Sequence, residues 1–345
     1  MTSGVAVSRP SNAAAYYHWP TVWVGGRPQT SGPNIDVRAL AEEVYRTTLF
    51  GGITAKVLRE GMFIFDFSGW SPSRAPPNRD EKNFDAMAEA ILRRVTVLNA
   101  HLACLCTKLC ERQGQAIPKM VVSPSDIIAL KSLDESGMNF GDMRVGALAL
   151  ARFPSTYAQG LPATFDWRLI MRNVVIEIDT VAESFQLLDT VLQHPAPYAL
   201  IVTDLYARSC KAYEDHNYSL CLVMAWAITE KLVQELWDRY LEANREREID
   251  GAKVTFINRS RRDLLTDGRD FHASVIGEIL SLANSLPFPL HKDISRVRQA
   301  RNDWLHELKP LSREDALLSV SVAERMLNLV YGLNFRVPLV ASLHF

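Results

Sequence analysis

The chain has 345 residues, 48% hydrophobic and 22% charged, with a formal net charge of -1. That length accommodates two domains of ordinary size, and the composition is that of a soluble globular protein. The near-neutral balance argues against a protein that coats RNA or DNA non-specifically, although an enzyme with a small local basic site remains compatible with it.

The first residues, Met1-Thr2-Ser3-Gly4-Val5, lack a charged head followed by a long apolar run, so no secretion signal is expected. No run of eighteen uncharged apolar residues predicts a membrane-spanning helix. The five cysteines form no framework of even spacings, which suits a reducing interior. Together these features predict a cytoplasmic protein.

In chain order, residues 19–24 and 62–67 are rich in aromatic and branched side chains and read as strands. Between them, residues 36–49 place Val37, Leu40, Val44 and Leu49 at helical spacing. Residues 71–78 form a breaker-rich loop. A long helix is predicted over 82–113, with Phe84, Met87, Ile91, Val95, Leu98, Leu102, Leu105 and Leu109 recurring at helical intervals and Gly114 ending it. Residues 120–122 and 145–153 read as strands and 184–192 as a short helix.

The texture changes at His194-Pro195-Ala196-Pro197. We therefore expect a mixed α/β domain over 1–195 and an all-α helical bundle over 196–345, an α+β chain in total. Helices are predicted over 198–213 and 219–241; the second is apolar nearly all round and belongs in the middle of a bundle. Residues 244–270 are charged and weakly periodic, which suggests a partly ordered insertion. Further helices are expected over 272–286, stopped by Pro287 and Pro289, over 293–308, stopped by Pro310, and from Ser312 onward. Ser312 and Asp315 have the spacing of a reciprocal cap, and Ala316, Leu317, Val320, Ala323, Leu327, Val330 and Tyr331 form the last helix's apolar stripe.

The helix over 293–308 carries the chain's most suggestive chemistry. Ile294, Val297, Trp304, Leu305 and Leu308 are expected to face the bundle, while Arg298, Asn302 and His306 share a second stripe at i, i+4 and i+8. Lys292, Arg296, Arg298 and Arg301 oppose Asp293 alone in that stretch, a local positive surface suited to phosphate.

An arginine followed at once by Asn302 and then by a histidine, on a late helix of such a bundle, resembles the signature of the HEPN superfamily. The resemblance covers roughly residues 198–333. It implies a metal-independent endoribonuclease, without cofactor, acting on RNA as a homodimer whose two motifs face one cleft. It also implies roles: Arg301 for phosphate charge, His306 for proton transfer, Asn302 for orientation, with Glu230 on the second helix and Arg298 in support. The chemistry is apt, because histidine titrates near neutrality and arginine offers phosphate a planar fork. An RNA-targeting toxin or defence effector is the biological role this implies, with the first domain sensing a trigger or partner. Two alternatives stand beside it. Arg301 and His306 also read as ordinary exposed residues pairing with Asp293, Asp303 or Glu307; or the bundle is a non-catalytic HEPN-type module for dimerisation.

Elsewhere the signals are weaker. Cys104, Cys106 and Cys110 lack the paired knuckles of a zinc site and read as small thiols in a helix core. Asp66 and Asp126 lack a second carboxylate and lysine at nuclease spacing, and Asp126 reads as a cap or first-turn acid. Lys253, Arg259, Arg261 and Arg262 read as a solvated loop before they read as an RNA contact.

Overall fold

The computed structural model describes residues 12–18, 22–27, 42–73, 83–115, 117, 121–130, 174–268 and 270–339. They form an α+β protein that divides into two compact units, 1–207 and 208–345.

In the first unit, β1 (Ala13–Tyr17), β3 (Glu43–Leu49), β4 (Ile53–Leu58), β5 (Met62–Asp66) and β6 (Ile128–Leu130) make an antiparallel sheet ordered β3-β4-β5-β1-β6. A separate parallel pair joins β2 (Val22–Val24) to β7 (Val174–Ile176). β1 is buried along its whole length, and period-2 alternation divides its residues between two apolar layers. Ala13, Ala15 and Tyr17 join Leu58, Met62, Ile64, Ile128 and Leu130. On the other face, Tyr16 stacks on Phe63 at 5.3 Å, beneath α1 (Phe84–Gln113) and α2 (Ile178–Gln193). The β4–β5 turn requires glycine: Gly61 has φ 79°, and an added Cβ would sit 2.4 Å from the Val22 carbonyl oxygen.

Strands at 62–66 and 22–24 and the long α1 match the sequence reading, and Gly114 closes α1 in the left-handed conformation. Residues 19–21 and 145–153 lie outside the described residues. The helix expected over 36–49 is corrected where it is described: residues 43–49 are strand β3. Val44, Tyr45, Thr47 and Thr48 favour extended backbone, and Tyr45 stacks on Phe185 of α2 at 5.6 Å. No strand forms at 121–122, because the buried Asn99 side chain occupies the backbone groups of Val122, accepting from its N–H at 2.7 Å and donating to its carbonyl at 3.2 Å. Asp126 closes a turn before β6 instead of starting a helix, accepting from the Ser123 backbone N–H at 2.9 Å.

In the second unit, the latter part of α3 (Ala199–Glu214) leads into α4 (Tyr218–Ala243), which packs against α6 (Ala273–Leu282), α7 (Phe288–Glu307) and α8 (Arg313–Tyr331). The unit is not all-α. Residues 244–265, expected to be partly ordered, fold as a hairpin of β8 (Glu246–Ile249) and β9 (Ala252–Thr255), followed by α5 (Arg259–Leu265). The cause is legible in Asp250-Gly251: both have positive φ, 52° and 77°, as a two-residue hairpin turn demands. The Trp237 indole N–H donates to the Leu265 carbonyl at 2.8 Å, tying α5 to α4.

The Ser312–Asp315 capping box forms as expected. Leu317, however, is exposed while the rest of its predicted stripe is buried. α7 begins five residues earlier than expected, since Pro289 sits in its first turn, where a missing N–H costs nothing.

Candidate active site on helix α7

Along α7 the buried seam runs Leu290, Ile294, Val297 and then Arg301, Trp304 and Leu308, at alternating spacings of four and three. The first three are buried, Arg301 and Trp304 are half-buried, and Leu308 is 78% exposed. Arg301 therefore lies on the bundle-facing stripe, at the point where the helix runs out of partners. The expectation that Leu305 and Leu308 face the bundle is corrected: Leu305 is 42% exposed. Leu308 takes the left-handed conformation that ends the helix.

Arg301 donates through Nη1 to Asn302 Oδ1 at 3.1 Å, so the structure brings those two residues together. Asn302 and Arg298 are half-buried and His306 is exposed, one above another on the adjoining stripe. Among the described residues, no hydrogen bond or ion pair engages Arg298 or His306. The two aspartates of α7 are held elsewhere, while Glu307, beside His306, has no side-chain partner among the described residues. Asp293 pairs with Arg325 of α8 at 2.7 Å and with Arg296 at 3.6 Å. Asp303 takes Lys309 at 3.5 Å and the Gln299 amide.

Beside the motif, Arg296, Gln299, Asp303, Lys309, Leu311 and Asp315 line a surface cleft of about 260 Å³. It opens on the side of α7 away from the buried seam and has mixed charge.

Hydrogen bonds fix the register of the helices around the motif. Cys221 contacts Ala316 and Ser319, and Glu235 accepts from Tyr331, so α4 and α8 run parallel. Asp293 meets Arg325, and Asp303 and Asp315 line one cleft, so α7 runs antiparallel to α8. Arg301 is thus level with Leu317 and Cys221, whereas Glu230 is level with Met326 and Lys292. At 1.5 Å per residue, Glu230 lies about 13 Å from Arg301 along the bundle, and its side chain is exposed. The structure does not bring Glu230 to the motif.

What this end of the bundle holds instead is a polar group invisible in the sequence. Arg313 Nε donates to the Tyr213 hydroxyl at 3.0 Å, and His216 Nδ1 lies 3.0 Å from the Tyr218 hydroxyl. Arg313 is level with Leu305 by the same register. One hundred residues separate Arg313 from Tyr213, and no local spacing announces their meeting.

The five cysteines are free thiols. Burial pushes Cys221 up to about 12 and raises Cys104 well above the ordinary thiol range, so neither is poised as a nucleophile. Among the described residues no group of three or more His, Cys, Asp or Glu could hold a metal ion, and no helix is long and apolar enough to cross a membrane. No protein-family model, curated protein or solved structure matches this chain.

Proposed function

We propose that the second unit is a HEPN-like endoribonuclease, with Arg301 and His306 as its catalytic pair and Asn302 as the positioning residue. The observation that supports this reading is the state of the two cations. As ordinary surface residues they would be expected to pair with the aspartates of their own helix, Asp293 and Asp303. Asp293 and Asp303 pair with Arg325, Arg296, Lys309 and Gln299 instead, leaving Arg301 bound to a neutral amide and His306 unpaired among the described residues.

In the proposed reaction the ribose 2′-oxygen attacks the adjacent phosphorus, and the bond from phosphorus to the 5′-oxygen breaks. The 2′-hydroxyl proton leaves to a base, and the departing 5′-oxygen takes a proton from an acid. Histidine serves either role. Arg301 presents two N–H groups to the phosphate oxygens, whose charge grows in the transition state. Its bond to Asn302 limits the rotamers it must search, and Arg298 adds positive charge one turn away. Transfer to a ribose hydroxyl needs no cofactor.

A homodimer through this unit supplies one His306 as base and the other as acid. The exposed Leu305 and Leu308 beside the motif offer apolar surface to a second copy. A toxin or defence effector, working in the cytoplasm, is the setting such an activity suits. The test is incubation of the full chain with total RNA in excess chelator, alongside Arg301→Ala and His306→Ala. Cleavage by wild type and its loss in both variants is the expected result. Equal cleavage by all three, or none by wild type, overturns the proposal and leaves the bundle as a dimerisation module.

A further inference from the structure

We propose that the β8–β9 hairpin and α5 bind the phosphate backbone of single-stranded RNA in a groove at the hairpin's base. The proposal rests on the ribonuclease reading only for its choice of polyanion. The groove encloses about 330 Å³, more than a lone phosphate fills, and Arg245, Arg259, Arg262, Thr255, Asn258 and Ile257 are among its lining residues. Among the described residues none that lines it is acidic.

The arginines are held in place. Glu242 accepts from Arg245 at 3.2 Å and from Arg262 at 2.7 Å, and Arg262 also lies 3.7 Å from Asp238, so two carboxylates hold the two guanidiniums. Each retains further N–H donors for a ligand. Arg259 has no hydrogen bond or ion pair among the described residues. The hairpin's acidic residues, Glu246, Glu248 and Asp250, do not line the groove, and Glu246 is 3.8 Å from Lys253.

Beside the groove, two guanidiniums lie over the Phe256 ring, Arg247 at 4.2 Å and Arg261 at 4.3 Å from its centroid. Arg247 is anchored to Asn244 at 3.2 Å and Arg261 to the Phe256 carbonyl at 3.1 Å. Such a stack presents flat cationic faces on which unpaired bases pile. Phosphate-binding arginines next to a stacking platform suit a single strand better than a duplex, whose bases are already stacked.

The experiment is fluorescence anisotropy of a labelled 12-nucleotide single-stranded RNA with the full chain carrying His306→Ala, titrated at several salt concentrations. Adding Arg245→Gln and Arg259→Gln should weaken binding about tenfold and reduce the log–log salt slope by about 1.4, two phosphate contacts' worth for a single strand. Arg259→Gln alone, which disturbs no internal contact, should reduce it by about 0.7. Phe256→Ala should weaken binding at every salt with the slope unchanged. No binding by the parent, unchanged affinity in the arginine variants, or equal competition by 5′-AMP or a poly-aspartate peptide overturns the proposal. Because cleavage plays no part in this assay, a wild type that binds but does not cut refutes only the catalytic reading.

Discussion

Lowering the pH from 7.5 to 5.0 should destabilise the first unit through one buried side chain, His101. It is fully buried in α1, stacked on Phe185 at 4.2 Å and edge-on to Phe65. Its two ring nitrogens have settled roles. Ser184 donates its hydroxyl to the Val181 carbonyl at 2.7 Å, so its oxygen accepts from His101 Nε2–H at 3.1 Å. Nδ1 is then the acceptor for the Tyr16 hydroxyl at 2.9 Å. A proton added at Nδ1 would face that hydroxyl in an apolar cage. Burial, and then the charge of His18, lower the imidazole to about 3 from 6.5. Between those values the unfolded chain binds one proton more than the native state, so stability falls as pH drops below 6.5 and stops falling below 3. At about 1.4 kcal/mol per unit, the loss at pH 5 is about 2 kcal/mol. Carboxylates contribute their own slopes, so the assay compares urea unfolding of wild type and His101→Gln at both pH values. The variant should be less stable at pH 7.5 but lose about 2 kcal/mol less on acidification. Equal pH dependence in the two proteins would refute the reasoning.

Three further outcomes follow from packing. Tyr17→Phe removes the 2.7 Å hydrogen bond to the buried Glu60 carboxylate and should cost about 1–3 kcal/mol in chemical unfolding. Gly61→Ala forces a Cβ to within 2.4 Å of the Val22 carbonyl oxygen at a positive φ and should lower stability by more than about 1 kcal/mol, read as a drop in Tm. Ser312→Ala breaks the capping box of α8; a loss of about 1 kcal/mol is expected, and Ser312→Asp should recover most of it.

Much of the chain's organisation was legible because its signals are local. α1 announced itself by long periodicity and a terminal glycine, and the α8 cap by four residues. Where one local signal competed with another, the reading failed. Residues 36–49 have a helical spacing of apolar side chains, but β-branched residues and antiparallel pairing with the next strand, β4, make 43–49 a strand. Asp250-Gly251 was a hairpin signal outweighed by the charge around it, so β8 and β9 were missed. Arg301, Asn302 and His306 are legible as a candidate site because they sit on one helix. Glu230 was placed by analogy to the second helix, and only the register of α4 against α8 shows how far along the bundle it lies. The Arg313–Tyr213 pair lies beyond any sequence pattern, since tertiary packing alone unites it.

The central claim concerns how the phosphodiester is broken, and the chemical ends of the cut report it most directly. Wild-type protein incubated in chelator with a defined RNA should leave 2′,3′-cyclic phosphate and 5′-hydroxyl termini, as attack by the neighbouring 2′-oxygen requires. The same RNA with 2′-O-methyl ribose at the cut site should remain whole, as should unmodified RNA with His306→Ala. Products ending in 5′-phosphate, or cutting that survives the methylation, would contradict the account.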